Sequence, residues 1–236
     1  MTSLAQLPLK TFAAALLLAF PTLFSIVNPL GSALIFREAT QDRSLAERRY
    51  LARRVSIYTA FLLVGSIWIG ALVLAFFGIS LGALRVAGGL VVTVSAWGLL
   101  MEPQRHEDNK AADAAPQHGD PEDVAFFPLT MPLTAGSGTI AIAIALASQQ
   151  PSDNVGRLAY LAGTSAAALA IAALVFVSYT WSDRVVALLG TRGARIVSRM
   201  TAFILLCVGI QITSTGIADL AATVLATIHL APAAPR

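Results

Sequence analysis

The stretch Asn28-Pro29-Leu30-Gly31-Ser32 interrupts an apolar segment that is long enough to cross a bilayer. Proline removes a backbone donor and glycine adds no side-chain support, so the helix is predicted to break here. A second interruption, Pro132-Leu133-Thr134-Ala135-Gly136-Ser137-Gly138-Thr139, lies at the corresponding position in the second half of the chain. Backbone groups freed in hydrocarbon need protein or a wet cavity to satisfy them. The paired breaks therefore predict a polar site near the membrane midplane, the plan of small secondary transporters.

The composition indicates a membrane protein. Of 236 residues, 56% are hydrophobic and 12% are charged, whereas soluble domains carry roughly 25% charged residues. The basic residues lie in loops between apolar segments and form no basic face interleaved with aromatic residues, so no nucleic-acid partner is expected. A single cysteine, Cys207, excludes an internal disulfide and a cysteine-rich metal site.

Six apolar segments are near or above the roughly 20 residues that a spanning helix needs. They cover residues 11–36, 55–77, 79–101, 124–148, 158–181 and 196–220. The second and third are predicted to form a tight antiparallel hairpin around Gly78. Three spans per half make the second half enter from the opposite side, so any relation between the halves is an inverted repeat. The predicted fold is an all-α membrane protein, with helices 1 and 4 broken and repeats at residues 1–101 and 124–236.

The distribution of charge predicts the orientation. Twelve of the sixteen lysine and arginine residues follow helices one and three or surround the link between helices five and six. The positive-inside rule assigns these loops to the cytoplasm and both termini to the periplasm. The acidic connection at residues 102–123 is predicted to be a flexible cytoplasmic linker. His106 and His118 in it, and His229 in the tail, are expected to be solvated rather than to bind a metal.

The predicted spans lack the residues that the usual intramembrane enzyme mechanisms need. No histidine lies within a span, and no pair of carboxylates faces each other inside the membrane. We therefore expect neither an enzyme nor a cofactor. A coupling ion, Na⁺ or H⁺, is compatible with the sequence, and the absence of a deep ionisable residue favours a cation held by carbonyls and hydroxyls.

Three motifs together resemble the MarC family of small bacterial inner-membrane proteins. They are NPLGSALIF at 28–36 with Glu47-Arg48-Arg49 after it, LRVAGGL at 84–90, and FPLTMPLTAGSGTI at 127–140. The resemblance covers about residues 10–220. It implies six helices in an inverted repeat, and relatives that transport neutral amino acids with a preference for glycine and alanine. Two positions depart from the family pattern: Ser137 replaces a proline between two glycines, and no acidic residue precedes Gly216-Ile217, although Asp219 follows.

The predicted site combines the two breaks. Backbone N–H groups at the start of a half-helix carry an end charge of roughly +0.5 and suit a carboxylate. We expect this at Gly136–Thr139 and, in the first helix, at Gly31 and Ser32. The Asn28 side-chain oxygen and freed carbonyls are expected to meet an ammonium group. The candidate substrate-binding residues are Asn28, Pro29, Gly31, Ser32, Pro132, Thr134, Gly136, Ser137, Gly138 and Thr139.

Three functional classes stay open from the sequence. The first is a secondary transporter of a small neutral amino acid such as glycine, alanine or serine, coupled to a cation gradient. The second is an exporter of another small metabolite. The third is a non-transporting membrane scaffold whose breaks only aid packing, since Ser25, Thr130 and Thr134 are expected to hydrogen-bond within their own helices. Membrane lipid is the expected surrounding partner, and a homo-oligomer is compatible with the sequence.

Overall fold

The computed structural model describes residues 6–76, 78–101 and 120–230, and no β-strand occurs among them. Five helices are long and apolar enough to cross a membrane. A sixth span results if two helical stretches, Pro121–Thr134 and Ser137–Ala147, which meet at an angle of 64°, are counted together. The prediction of an all-α protein is therefore confirmed for the described residues, and five or six candidate spans stand against the six that were predicted.

The helices follow one another with short connections. In chain order they are α1 (Gln6–Val27), α2 (Pro29–Ala39), α3 (Leu45–Phe76), α4 (Leu81–Met101), α5 (Pro121–Phe126), a π-helical segment (Leu129–Thr134), α6 (Ser137–Ala147), α7 (Asn154–Thr180) and α8 (Ser182–Leu230). Local sequence sets several of the starts. Ser44 and Glu47 form a reciprocal capping box before α3. Asp153 caps α7 by accepting the Gly156 amide at 2.6 Å.

Large apolar side chains cover the outer surface of the helices. Leu17, Phe61, Leu72, Phe76 and Val94 are all exposed. Exposed apolar surface on this scale is costly in water and indicates contact with lipid. The core inside is formed by smaller and branched residues of every long helix, and buried side chains include Leu23, Leu63, Val92, Leu146, Ile171 and Leu205.

Most helices pack against helices of the other half of the chain. Helix α1 lies along α7, α3 lies along α7 and α6, and α4 lies along α8. The predicted hairpin of the second and third spans is wrong, because α3 and α4 have no extensive contact in the described residues. Gly78, with φ of 72°, does turn the chain between them. Glycines on α4 allow that helix to approach the backbone of α8 closely, and this contact replaces the hairpin.

Helix α8 differs from the predicted sixth span. A basic link before residue 196 is expected from the sequence, but the helix runs unbroken from Ser182 and only Trp181 separates it from α7. Its 49 residues contain no proline to stop it. At 1.5 Å per residue it is about 70 Å long, more than twice the hydrocarbon thickness. Its apolar part, Ala202–Thr223, is the candidate span, and the arginine-bearing part precedes that span.

The linker is only partly described. Residues 102–119, with His106 and His118, lie outside the described residues, as does the side chain of His229. The predicted linker ends too late, since α5 already begins at Pro121. Asp120 accepts the Glu122 amide at 3.1 Å and so caps this helix, which explains why it begins before residue 123.

Candidate functional site

The first interruption is a single residue between α1 and α2. Asn28 has left-handed backbone angles (φ 47°, ψ 62°), a conformation that asparagine adopts more readily than most residues. Its side-chain oxygen accepts the Gly31 amide at 3.3 Å. A Cβ on Gly31 would lie 2.4 Å from the Asn28 side-chain nitrogen, so a larger residue there would displace the capping side chain. The first amides of α2 are therefore capped by a residue of the break itself, and we call such a break closed.

The second interruption is longer and begins in the π-helical segment. The Leu133 and Ala135 amides donate to carbonyls five residues earlier, at 3.2 and 2.8 Å. Gly136 is extended, and its carbonyl accepts the Thr139 and Ile140 amides at 3.0 and 3.2 Å. No side chain caps α6. Among the described residues the Ser137 and Gly138 amides have no hydrogen-bond acceptor, so this helix start is open.

One buried tyrosine contacts both interrupted helices. The Tyr179 hydroxyl lies 2.7 Å from the Thr134 hydroxyl in the π-helical segment. Helix α2, which follows the first interruption, contacts the same π-helical segment directly. The tyrosine ring stacks on Phe36 with centroids 4.3 Å apart, which fixes its position. The breaks thus meet inside the protein, around the end of α7.

The hydroxyls at the breaks also satisfy carbonyls that interrupted helices leave free. Ser32 donates to the Val27 carbonyl at 3.1 Å, and Thr134 donates to the Leu129 carbonyl at 2.6 Å. Ser25 donates to the Pro21 carbonyl of its own helix α1, as expected from the sequence, whereas Thr130 donates to the Ala125 carbonyl of the preceding helix α5. Buried backbone groups here thus acquire the partners that a membrane interior requires.

The C-terminal end of α6 is held by charged and polar side chains. Arg85 of α4 donates to the Ser148 carbonyl at 2.8 Å and to the Gln150 carbonyl at 3.4 Å, and it pairs with Asp219 of α8. Tyr160 donates to the Leu146 carbonyl at 3.0 Å. A cation suits this position, because the C-terminus of a helix carries partial negative charge.

The C-terminal end of α2 has a more exposed ion pair. Arg37 donates to Asp183 at 2.6 Å, and Arg48 donates to the other carboxylate oxygen at 3.3 Å. The hydrogen bond from Arg37 holds the pKa of the Asp183 carboxyl below its usual value. Nearby, Arg54 and Tyr50 both donate to Glu122. These residues join α2, α3, α5 and α8 at one end of the protein.

The predicted site residues differ in how deeply the structure buries them. Those that the structure buries are Asn28, Pro29, Gly31, Ser32, Thr134 and Thr139. Pro132 and Gly136 are half-buried, and a Cβ on Gly136 would lie 3.1 Å from the Pro132 carbonyl. Ser137 is exposed, and a Cβ on Gly138 would meet no atom within 4 Å. Thr134 contacts Tyr179 and Ser32 contacts the Val27 carbonyl, whereas Ser137 and Gly138 border open space.

Tyr179 and Phe36 are the residues that sequence reasoning misses. The fifth span is alanine-rich and reads as a packing surface, and Phe36 reads as part of an apolar run. The feature of the sequence that could have identified Tyr179 is its hydroxyl group. A tyrosine near the end of an apolar span must find a partner for that hydroxyl if it is buried, and polar partners were already predicted at the breaks.

Comparison with known proteins identifies the family to which the chain belongs. The sequence profile of the MarC family of integral membrane proteins matches residues 13–221. Relatives named inner membrane protein MarC, in Escherichia coli and Shigella flexneri, are 30% identical over 210 residues, which cover 87% of this chain and 95% of theirs. No solved structure matches the chain. With the profile covering almost all of the described spans, the chain belongs to the MarC family of integral membrane proteins.

Proposed function

We propose that this protein is a multi-pass inner-membrane secondary transporter of a small neutral amino acid, coupled to a gradient of Na⁺ or H⁺. The observation that carries the proposal is that Tyr179 contacts both interrupted helices, through Thr134 before the second break and through Phe36 after the first. Interrupted helices that face each other inside a membrane supply polar groups that an apolar core otherwise lacks. The resemblance implies glycine and alanine as substrates, and the expected small cavity between the two breaks adds serine.

An inverted repeat of three spans per half is part of the proposal, and the packing supports it. If the halves correspond, the first span of each half should contact the last two spans of the other half. Helix α1 contacts α7 and α8, and α6 correspondingly contacts α3 and α4. The pairs α3 with α7 and α4 with α8 would then pack across the pseudo-twofold axis.

The α4–α8 crossing supports the repeat in atomic detail. Thr93 donates to Gly89 at 2.7 Å, and Thr213 donates to Gly209 at 2.9 Å, so each helix carries a Gly-x₃-Thr unit. A Cβ on Gly89 would lie 2.3 Å from the Thr213 hydroxyl oxygen, and a Cβ on Gly209 would lie 2.5 Å from that of Thr93. Each glycine thus receives the threonine of the opposite helix. Reciprocity of this kind is expected at a twofold axis.

The open start of α6 suits the carboxylate of an amino acid. The Ser137 and Gly138 amides lack acceptors among the described residues, and a helix N-terminus favours an anion. In the first interruption the Gly31 amide is already used by the Asn28 side chain. We therefore assign the carboxylate to α6 rather than to α2. The open space at Gly138 is where the substrate would approach the backbone.

The orientation is proposed from charge. The ion pairs Arg37–Asp183, Arg48–Asp183 and Arg54–Glu122 lie at the ends of segments that carry most of the arginines. The positive-inside rule assigns such an end to the cytoplasm. Arg85 and Asp219 then lie towards the periplasm, on the side of both termini.

Uptake of labelled glycine and alanine into proteoliposomes tests the function, with sodium and proton gradients imposed separately. We expect saturable uptake driven by one gradient. The variant Gly138→Leu should lose most of that uptake while folding normally, because its side chain enters the open space at the start of α6. Gly98→Leu is the matched control, since a Cβ there also meets no atom within 4 Å but lies on an exposed face of α4.

Two results would contradict the proposal. Equal uptake by Gly138→Leu and wild type would move the substrate away from the start of α6. No uptake or exchange of glycine, alanine or serine under any gradient, from folded protein, would favour an exporter of another metabolite or a non-transporting scaffold.

A further inference from the structure

Helix α8 carries an exposed glutamine close to the centre of its candidate membrane span. Gln211 is the tenth of the 22 residues of Ala202–Thr223. The Ser214 and Thr215 hydroxyls each donate to its backbone carbonyl at 2.9 Å, but its side-chain amide has no hydrogen-bond partner within the described residues. An amide in hydrocarbon is unfavourable unless another polar group pairs with it. Gln211 therefore calls for a partner outside the single chain.

Gln211 lies on the face of α8 that points away from the rest of the protein. The face that packs against α4 contains the buried residues Ala202, Leu205, Gly209, Ile212 and Gly216. Since a helix turns about 100° per residue, Gln211 lies roughly opposite the middle of that face. Its side chain thus meets the surrounding membrane and not the interior around the two interruptions.

A regular row of exposed residues runs along this outward face, and we call it the outer seam. Its members follow one another at alternating intervals of four and three residues: Met200, Ile204, Cys207, Gln211, Ser214, Ala218, Ala221 and Leu225. This interval is the one by which two helices pack along a shared seam. Ser214, Ala218 and Ala221 are small, and small residues let two membrane helices approach closely. The outer seam therefore has the spacing and the side-chain sizes of a helix–helix contact.

We propose that the outer seam binds the outer seam of a second copy of this chain, so that the protein is a dimer with parallel α8 helices. Identical chains insert in one orientation, and a twofold axis along the membrane normal then brings each seam residue opposite its counterpart. The glutamine amide has both donors and an acceptor. The two Gln211 amides can therefore donate to each other, and symmetry places them at the same depth.

Cys207 provides the first test, because it is the single cysteine of the chain and is an exposed member of the outer seam. In the proposed dimer the two Cys207 thiols face each other. Brief oxidation with molecular iodine in lipid vesicles, at a high ratio of lipid to protein, should give a covalent dimer on a non-reducing gel. Cys207→Ala should abolish that dimer.

The matched control moves the thiol to another face of the same helix. Ile210 is 55% exposed and lies three residues after Cys207, on the flank of α8 and outside the outer seam. Ile210→Cys in a Cys207→Ala background should stay monomeric under the same oxidation. The comparison separates a specific seam from random collisions in the membrane, since both thiols are exposed at similar depth.

The role of the glutamine is measured by energy transfer between donor-labelled and acceptor-labelled copies in vesicles of increasing lipid-to-protein ratio. Gln211→Leu should raise the apparent dissociation constant of the dimer about tenfold, because it removes hydrogen bonds between the helices. Gln211→Asn keeps an amide in the outer seam and should lose less. Ala218→Leu is the second variant, since it adds bulk to the seam without touching the amide, and it should also weaken the dimer.

Four results would overturn the inference. They are a wild type without a covalent dimer, equal crosslinking from Cys207 and from Ile210→Cys, a dissociation constant that Gln211→Leu leaves unchanged, and no energy transfer at any lipid ratio. The last result would mean that lipid alone covers the outer seam. The dimer is independent of the proposed transport function. A dimer without uptake would keep this inference and remove the transporter, and uptake by a monomer would do the reverse.

Discussion

The two interrupted helices carry similar proline and glycine residues, yet they differ at the point where each helix resumes. Helix α2 resumes under a cap, because the Asn28 side chain accepts the Gly31 amide. Helix α6 resumes after Gly136, which has no side chain, and the next two amides have no acceptor in the described part of the chain. The residue before the helix therefore decides whether a break is closed or open to a ligand.

The C-terminal ends of α2 and α6 also differ, but at these ends it is α6 that is held more firmly. The end of α6 is fastened by Arg85, whose side chain is 14% exposed and contacts Ser148, Gln150 and Asp219. The end of α2 is fastened by Arg37, whose side chain is 50% exposed. The helix with the open start thus has the firmer end. A ligand can bind the start of α6 while the other end holds the helix in place.

Replacing the two arginines by alanine tests this difference and should give the largest effect. Arg85→Ala leaves two carbonyls and a carboxylate without their donor, and we expect a loss of about 3 kcal/mol in the free energy of unfolding. Arg37→Ala should cost less than about 1 kcal/mol, because exposed ion pairs contribute little. Thermal or denaturant unfolding in detergent measures both. Equal losses would show that the ends are not fastened differently.

The cap of the first break is tested at Asn28. Asn28→Ala removes the cap and places alanine, which adopts left-handed backbone angles less readily than asparagine, so we expect a loss of about 2 kcal/mol in unfolding free energy. Asn28→Gly keeps the backbone angles and should lose under about 1 kcal/mol. Both variants are compared with wild type by thermal unfolding. A larger loss for glycine than for alanine would rule out the geometric explanation.

Gly31 and Gly138 lie where α2 and α6 begin after the breaks, and replacing them by alanine should change the stability in opposite directions. Gly31→Ala forces the Asn28 side chain away from the helix start and should cost about 1 kcal/mol of stability. Gly138→Ala meets no atom within 4 Å and lies in a helix, so stability should rise by about 0.5 kcal/mol. Uptake assays should show a reduction for Gly138→Ala despite this gain. Destabilisation by Gly138→Ala would mean that the start of α6 is not open.

The sequence predicted where the helices break but not how the break residues are used. Proline and glycine identify both interruptions because their backbone effects are local, and asparagine before proline is a local capping signal. Tyr179 contacts Thr134 and Phe36, which lie about 45 and about 143 positions away in the chain, so no local pattern reports these contacts. The α3–α4 hairpin was wrong for the same reason, since the close α4–α8 contact is also distant in sequence.

The smallest predicted effect concerns pH at the end of α2. Arg37 and Arg48 lower the pKa of Asp183, so its ionised form stabilises the folded state at pH values above the ordinary aspartate pKa. That contribution is lost as the pH falls through the lowered pKa of the folded state. The Asp183 side chain is 53% exposed, and its pairs should therefore contribute less than about 1 kcal/mol.

Wild type and Asp183→Asn should differ slightly in unfolding temperature at pH 7, and the difference should shrink between about pH 5 and pH 3. High salt should reduce it as well, because exposed charges are screened. Arg85→Ala should keep its full deficit over the same range of salt, since most of its lost contacts are to carbonyls that do not titrate. If salt reduced the Arg85→Ala deficit as much as that of Asp183→Asn, the ends of α2 and α6 would be held by the same screened charges, and the comparison between the two helices would fail.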